Sequence, residues 1–149
     1  MNVIPPPVYG ATALLLMWLL HKNFPVITTE ASWPTIAGCA IVAIGLIVDL
    51  VSVLNFKSAQ TTINPLRPHN TSALVTRGFY SISRNPMYLG MAIMLTGAGL
   101  ILGSLSPMIM PLVFCLVVTY MQILPEEKVL QELFGQDYID YTRRVARWV

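Results

Sequence analysis

The sequence predicts an all-α membrane protein: a polytopic bundle of about four transmembrane helices followed by an amphipathic helical tail. Three observations predict it. Of the 149 residues, 55% are hydrophobic and 11% charged, against roughly a quarter charged in a soluble domain; the mean hydropathy is +0.65. The 9 Lys/Arg and 7 Asp/Glu fall almost entirely outside four apolar runs. One of those runs, Trp33 to Phe56, exceeds the roughly 20 residues needed to cross the hydrocarbon of a bilayer. No linker, repeat or low-complexity stretch divides the chain, so residues 1 to 149 are expected to form one domain.

The first run, about 5 to 20, starts at Pro5, Pro6 and Pro7, which suit a helix start because the N–H that proline lacks has no partner there anyway. It carries no basic n-region and no small-residue cleavage site before Lys22, so it is expected to be retained. The second run, 33 to 56, is the clearest helix. The third, about 87 to 105, and the fourth, about 107 to 124, are separated only by Gly103, Ser104, Ser106 and Pro107, turn chemistry that predicts a tight helical hairpin. Basic residues set the orientation. Lys57, Arg67, Arg77 and Arg84 lie between runs two and three, Lys128, Arg143, Arg144 and Arg147 follow run four, and Lys22 lies on the other side. The long middle loop and the tail, 125 to 149, are therefore expected to be cytoplasmic, with the protein in the inner (plasma) membrane.

In the tail, Val129, Leu130, Leu133 and Phe134 are placed on one side before a break at Gly135, a residue suited to end a helix. Asp137 is then positioned to cap a second short helix bearing Tyr138, Tyr141, Val145 and Trp148. Such a tail lies along the membrane or folds back over the bundle.

Chemistry concentrates at one mouth of the bundle. Residues 78 to 90 crowd polar and aromatic side chains against the start of run three. Pro86 favours a helix opening just after Asn85, and free N–H groups beside Arg84 would suit a carboxylate or phosphate. The competing reading is an interfacial anchor, with Arg84 at lipid headgroups and Tyr80 and Tyr88 in an aromatic belt. Gly90, Gly97, Gly99 and Gly103 along run three would let a backbone or a flat ligand approach closely, and helix packing is the favoured reading of Gly99 and Gly103. Run four ends in Gln122, Pro125, Glu126 and Glu127, a pair of carboxylates where helix meets water, suited to hold a cation or accept a proton, or to begin the tail helix favourably for its dipole. Asp49 inside run two is a secondary candidate, for which pairing or snorkelling competes with function. His69 reads as an exposed loop residue. Cys39 and Cys115 lie in apolar stretches, and neither a metal, a disulfide nor a nucleic-acid partner is expected.

Taken together, Arg-Asn-Pro-Met-Tyr-Leu-Gly at 84 to 90, the hairpin, Glu126-Glu127-Lys-Val-Leu130, Phe134-Gly-Gln-Asp-Tyr138, and Tyr141 to Trp148 resemble the isoprenylcysteine carboxyl methyltransferase family and the related phospholipid methyltransferases, over Leu74 to the C-terminus. The resemblance implies a membrane methyltransferase using S-adenosyl-L-methionine, held between the helices and the tail. It implies that Arg84, Asn85, Tyr88, Gly90, Gly97, Gly99, Gln122, Glu126, Tyr138, Tyr141 and Arg147 line the cofactor site. Glu127 is the expected group to orient or deprotonate the acceptor, and Arg144 the expected group to bind an acceptor carboxylate or phosphate. The absence of any strand, glycine-loop, helix unit agrees with a cofactor site outside a dinucleotide-binding domain. One departure from the family pattern stands out: where the family carries His, this chain has Asn85, which hydrogen-bonds but cannot act as acid or base. The acceptor is expected to be lipophilic and to enter from the bilayer among membrane lipids. A membrane reductase related to sterol reductases and using NADPH, or a non-catalytic membrane subunit, are the alternatives.

Overall fold

A computed structural model describes residues 4–58 and 74–149; the expectations for Arg67 and His69 lie outside them. Every regular element among the described residues is a helix, and their sole β-type pairing is one isolated bridge between Ser83 and Ala146. Helix α1 covers Pro6–Asn23, α2 Trp33–Ser58, α3 Pro86–Leu102, α4 Met110–Val118 and α5 Leu124–Arg144. Short 3₁₀ turns at Gly78–Ser81 and Ser106–Ile109 precede α3 and α4.

Two helices are long and apolar enough to cross a membrane: Trp33–Asn55, and the continuous helix from Ser106 to Arg144 that joins α4, a π turn and α5. Helix α3 is apolar but spans 17 residues, and α1 dilutes its apolar run with two prolines at one end and His21, Lys22 and Asn23 at the other. Four helices thus form the bundle, but the count of four full spans is not reached by length and apolarity. Large apolar side chains face outward on every layer, among them Leu15, Ile36, Ile47, Leu54, Leu112 and Leu116. So much exposed apolar surface suits a lipid environment rather than water.

Helices α2 and α3 run antiparallel and touch backbone to backbone at two levels. A Cβ at Gly38 would sit 2.6 Å from the Gly97 carbonyl oxygen, and one at Gly97 would sit 2.6 Å from that of Gly38. Seven residues along each helix the contact repeats between Gly45 and Gly90, at 2.6 and 2.8 Å. Two helical turns separate the contacts, so one glycine face meets another. The core between α1, α3 and α4 is built from Ala13, Met17, Leu95, Phe114 and Val118, all buried.

Helix α3 stops at Gly103, whose φ of 70° is left-handed and favours glycine. At that end of the bundle the two connections knit together: Thr29 N donates to Gly103 O at 3.0 Å and Leu105 N to Val26 O at 2.8 Å. His21 and Ser104 hydrogen-bond at 2.8 Å.

The tail does not begin as a separate helix after run four. Helix α4 passes through a π turn, Thr119–Ile123, straight into α5. The break falls at Gly135 as expected, at φ 51° and ψ −119°. Beyond it no hydrogen bond from Asp137 forms the expected cap. Leu130, Phe134, Tyr138, Tyr141 and Val145 make the inward stripe, recurring every three to four residues. Leu133, expected on that side, is instead exposed at 41%, because a helix cannot turn Leu130, Leu133 and Phe134 equally inward when the stripe follows Leu130 and Phe134.

Candidate functional site

The site is built where α3 starts and α5 begins and ends. Asn85 and Pro86 open α3 with no side-chain cap on its first turn. The preceding strip, Ser83 to Asn85, is pinned by the returning chain end. Arg84 N donates to Ala146 O at 3.0 Å. Asn85 Nδ2 donates to Arg147 O at 3.0 Å and Ser83 Oγ to the same carbonyl at 3.4 Å. Trp148 Nε1 reaches back to Thr119 Oγ1 at 3.2 Å, and Tyr141 donates its hydroxyl to Tyr80 O at 2.6 Å. The chain end is thereby fastened to both helices of the hairpin, closing a loop around an open cleft of about 460 Å³.

Of the residues expected at the site, Arg84, Asn85, Glu126, Glu127, Tyr138 and Tyr141 line this cleft, together with Tyr80, Leu74, Val75 and Leu130. The charges inside it are arranged unequally. Glu127 is gripped by two arginines: Arg147 donates through Nε and Nη2 at 2.9 and 2.8 Å, a two-pronged pair, and Arg84 Nη1 lies 3.0 Å away. This pairing raises the pKa of Arg147 above its ordinary value. Glu126, two residues past the last apolar residue of run four, has a different partner: Tyr88 donates its hydroxyl to Oε1 at 3.0 Å. Burial pushes the Glu126 carboxyl up to about 7, with the Tyr88 bond pulling the other way. The Tyr138 and Tyr141 hydroxyls are raised by burial above their ordinary range and remain protonated donors. Arg84, whose side chain is 12% exposed, keeps one buried donor, Nε, without a partner.

Other residues expected at the site lie elsewhere. Arg144 is exposed and turns its Nε to the Asp140 carbonyl at 3.3 Å. The helix directs Arg144 to solvent, and the extended chain after it brings Arg147 in instead. Gly90 and Gly97 face α2, where added side chains would strike the Asp49 carboxylate and the Gly38 backbone. Gly99 faces Met108 and Met17. All three serve helix packing and lie away from the cleft. Gln122 is 1% exposed and holds the N-terminal segment through Ile4 O and Tyr9. Tyr88 stands behind Glu126 rather than on the cleft wall. Asp49 lies at the α2–α3 contact, and its Oδ1 has no hydrogen-bond partner. Tyr80 was legible as an aromatic within residues 78 to 90, but Leu74 and Val75 carry no signal in the sequence.

Comparison with known proteins gives the family. The family model for phospholipid methyltransferases matches residues 33–137. The chain belongs to the phospholipid methyltransferase family. The family match starts earlier than the resemblance in the sequence suggested, taking in α2, and ends before Tyr138, so α1 and the chain end that closes the cleft lie outside it. Two curated relatives are named protein-S-isoprenylcysteine O-methyltransferases. The one from Arabidopsis thaliana is 29% identical over 120 residues, 78% of this chain and 59% of its own. The one from Saccharomyces cerevisiae is 29% identical over 114 residues, 75% of this chain and 47% of its own. The chain thus spans about half the length of these relatives. An uncharacterized protein of Haemophilus influenzae is 35% identical over 63 residues, 42% of this chain and all of its own.

A member of the phospholipid methyltransferase family with this cleft has the parts to hold a zwitterionic ligand with an aromatic portion. The unpaired Arg84 Nε suits a carboxylate, Glu126, which no arginine holds, suits a cation, and Tyr80, Tyr138 and Tyr141 offer ring faces.

Proposed function

We propose that this protein is an S-adenosylmethionine-dependent methyltransferase, acting on a lipophilic acceptor at the cytoplasmic face of the inner membrane. Family membership supports the reaction class. The observation that carries the proposal is the pairing, in one tyrosine-lined cleft, of an arginine whose buried Nε is unpaired and a carboxylate free of any arginine. S-adenosylmethionine carries a carboxylate, an ammonium and an adenine, for which the cleft wall offers a guanidinium donor, a carboxylate acceptor and tyrosine rings in turn. When bound, the cofactor supplies a sulfonium methyl group.

The chain's own residues then have distinct tasks. Arg84 binds the cofactor carboxylate, steered by Glu127, whose charge is shared with Arg147. Both carboxylate oxygens of Glu127 are already engaged by guanidinium groups. We therefore assign the task first expected of Glu127 to Glu126, and the electrostatic task expected of Arg144 to Arg84 and Arg147. Glu126 takes a proton from the acceptor group, or orients it, at a pKa suited to neutral pH. Asn85 holds the chain end in place through the Arg147 carbonyl, a task that needs no acid or base. Methyl transfer is an in-line displacement, so the rate depends on holding acceptor and methyl carbon on one axis. The tail fastened over the cleft excludes water from that axis. The acceptor enters sideways from the bilayer.

Isothermal calorimetry on the detergent-solubilised chain tests this. S-adenosylhomocysteine should bind, and Arg84→Ala should weaken it by about 10- to 100-fold, the value of a charge-assisted hydrogen bond. Binding of NADPH without S-adenosylhomocysteine would instead favour a reductase, and binding of neither a non-catalytic subunit.

A further inference from the structure

The π turn between α4 and α5 is a local anomaly with a consequence for the cleft. Two adjacent residues of it, Gln122 and Ile123, are both buried, at 1% and 0% exposed, and the wider turn sets the direction of each. The Gln122 amide is then oriented by what surrounds it. Its Nε2 donates to Ile4 O at 2.7 Å and to the Tyr9 hydroxyl oxygen at 3.2 Å. A backbone carbonyl can only accept, so the amide cannot be turned round without setting two oxygens against each other. Its oxygen, Oε1, is therefore fixed inward, buried and without a hydrogen-bond partner. An acceptor left in that state is costly unless a donor reaches it in some state of the protein.

Glu126 follows four residues on, where α5 has resumed its regular pitch, and the hydroxyl partners of the two side chains, Tyr9 for Gln122 and Tyr88 for Glu126, pack in the same cluster. An ionised carboxylate offers Gln122 Oε1 nothing, but a protonated one offers a hydroxyl. We propose that Gln122 is a positioning residue that accepts a hydrogen bond from the protonated form of Glu126 and so stabilises the proton there. This rests on the reading of Glu126 as the proton acceptor. In that step the acceptor's O–H, N–H or S–H bond breaks, its electron pair stays on the acceptor atom to attack the methyl group, and the proton forms a new O–H bond at Glu126. Oε1 of Glu126 already accepts from Tyr88, which leaves Oε2 to carry the proton.

The other groups around Glu126 have partners or roles of their own. Arg84 and Glu127 are paired across the cleft, and the Tyr141 hydroxyl is committed to Tyr80 O. The Tyr138 hydroxyl accepts from Arg84 at 3.4 Å. Asp49, on α2, lies against Gly90 of α3, and Tyr80 stands on the cleft wall. From α1, Tyr9 packs against the cluster that contains Tyr88 and Ile123. The proposal gives α1, which lies outside the family match, a part in tuning the site.

Infrared difference spectroscopy across pH, on the full chain in detergent, reads the carboxylic acid band directly, and Glu126→Gln assigns it. Gln122→Met keeps the volume and removes the acceptor. It is expected to lower the Glu126 midpoint by about one pH unit, the size of one net hydrogen bond. An unchanged or higher midpoint overturns the proposal. Should Gln122→Met fail to fold, Tyr9→Phe, which loosens the grip on the amide, is expected to lower the midpoint by a few tenths of a unit, and no change there overturns it equally. The band needs neither cofactor nor turnover. A shifted midpoint without S-adenosylhomocysteine binding would refute the methyltransferase reading alone, and an unshifted midpoint with binding would refute only the role of Gln122.

Discussion

Replacing Gly97 by alanine separates two explanations of the same glycine: a wall of the cofactor site, as the family resemblance implied, or a contact between helices. The new Cβ would lie 2.6 Å from Gly38 O, 2.8 Å from Val42 Cγ2 and 2.9 Å from Val42 N, while carbon atoms pack at about 3.5–4.0 Å. Two of the three obstacles are backbone, so the helices themselves must part by about 0.8 Å. A gap of that order forfeits a quarter to a half of the dispersion energy along the contact, and overpacking of this kind costs about 1–3 kcal/mol. Alanine's better helix propensity returns about 0.5–1 kcal/mol. The net loss, about 1–2 kcal/mol, should lower Tm by about 2–8 °C in a circular dichroism melt of the solubilised chain. Gly97 lies 11 residues, about 16 Å, along α3 from its start beside the cleft, so S-adenosylhomocysteine affinity below the transition should stay at the wild-type value. Gly10→Ala is the matched control: nothing lies within 4 Å of its added Cβ, and its Tm should hold or rise. A Gly97→Ala protein that melts like wild type but no longer binds S-adenosylhomocysteine would refute the packing explanation.

Arg147→Ala breaks the two-pronged bond to Glu127 and should weaken S-adenosylhomocysteine binding by about 10-fold or more, whereas Arg144→Ala, at a solvent-facing position, should leave the calorimetric affinity unchanged. Glu126→Gln should lower kcat by about 10²- to 10⁴-fold and abolish the rise of the rate through about pH 7. Its effect on stability has a defined sign. The carboxyl shifts from 4.5 up to about 7 on folding, so the stability it contributes is complete below pH 4.5 and is lost as pH rises through 7. Glutamine mimics the protonated form and escapes that loss, so relative to wild type the variant should gain of order 3 kcal/mol between pH 4 and pH 8, measured by denaturation at each pH. Trp148→Phe removes the donor to Thr119 while keeping the ring, and should speed proteolytic clipping of the chain end with little change in Tm.

The helices and the neighbourhood of the site were legible in the sequence because they rest on local signals. Proline at a helix start, glycine at a helix end and long apolar runs act within a few residues, and Pro86, Gly103 and Gly135 sit where those rules put them. What the sequence concealed depends on rotation about a helix axis. Glu126 and Glu127 are adjacent and chemically identical, yet the turn of α5 hands one to two arginines and the other to a tyrosine. Arg144 was expected at the acceptor and Arg147 at the cofactor, but the helix ends at Arg144, which faces solvent, and the extended residues after it bring Arg147 to Glu127. The π turn is invisible to a pattern of period 3.6, so Gln122 was expected at the cleft and is found beneath it. Gly38 and Gly45, the partners of Gly97 and Gly90, gave no motif of their own, since a glycine contact becomes visible only when both helices are aligned.

These features bear on how helices packed in a membrane can hold a site. A cleft needs rigid walls, and the helices that line it have apolar faces that lipid solvates as well as protein does, so burial of apolar surface gives little reason for them to stay together. The glycine contacts fix α3 against α2 through backbone approach, where displacement in either direction is penalised. The chain end supplies the rest. Its bonds to residues 83 to 85 and to Thr119 tie the start of α3 to the helix that carries both glutamates, closing a circuit that apolar packing alone would leave open. Cutting that circuit at the Asn85 amide should therefore loosen the cleft without melting the bundle: Asn85→Ala is expected to weaken S-adenosylhomocysteine binding severalfold while shifting Tm by less than Gly97→Ala does. The opposite ranking would mean that the walls, and not the tail, hold the site in shape.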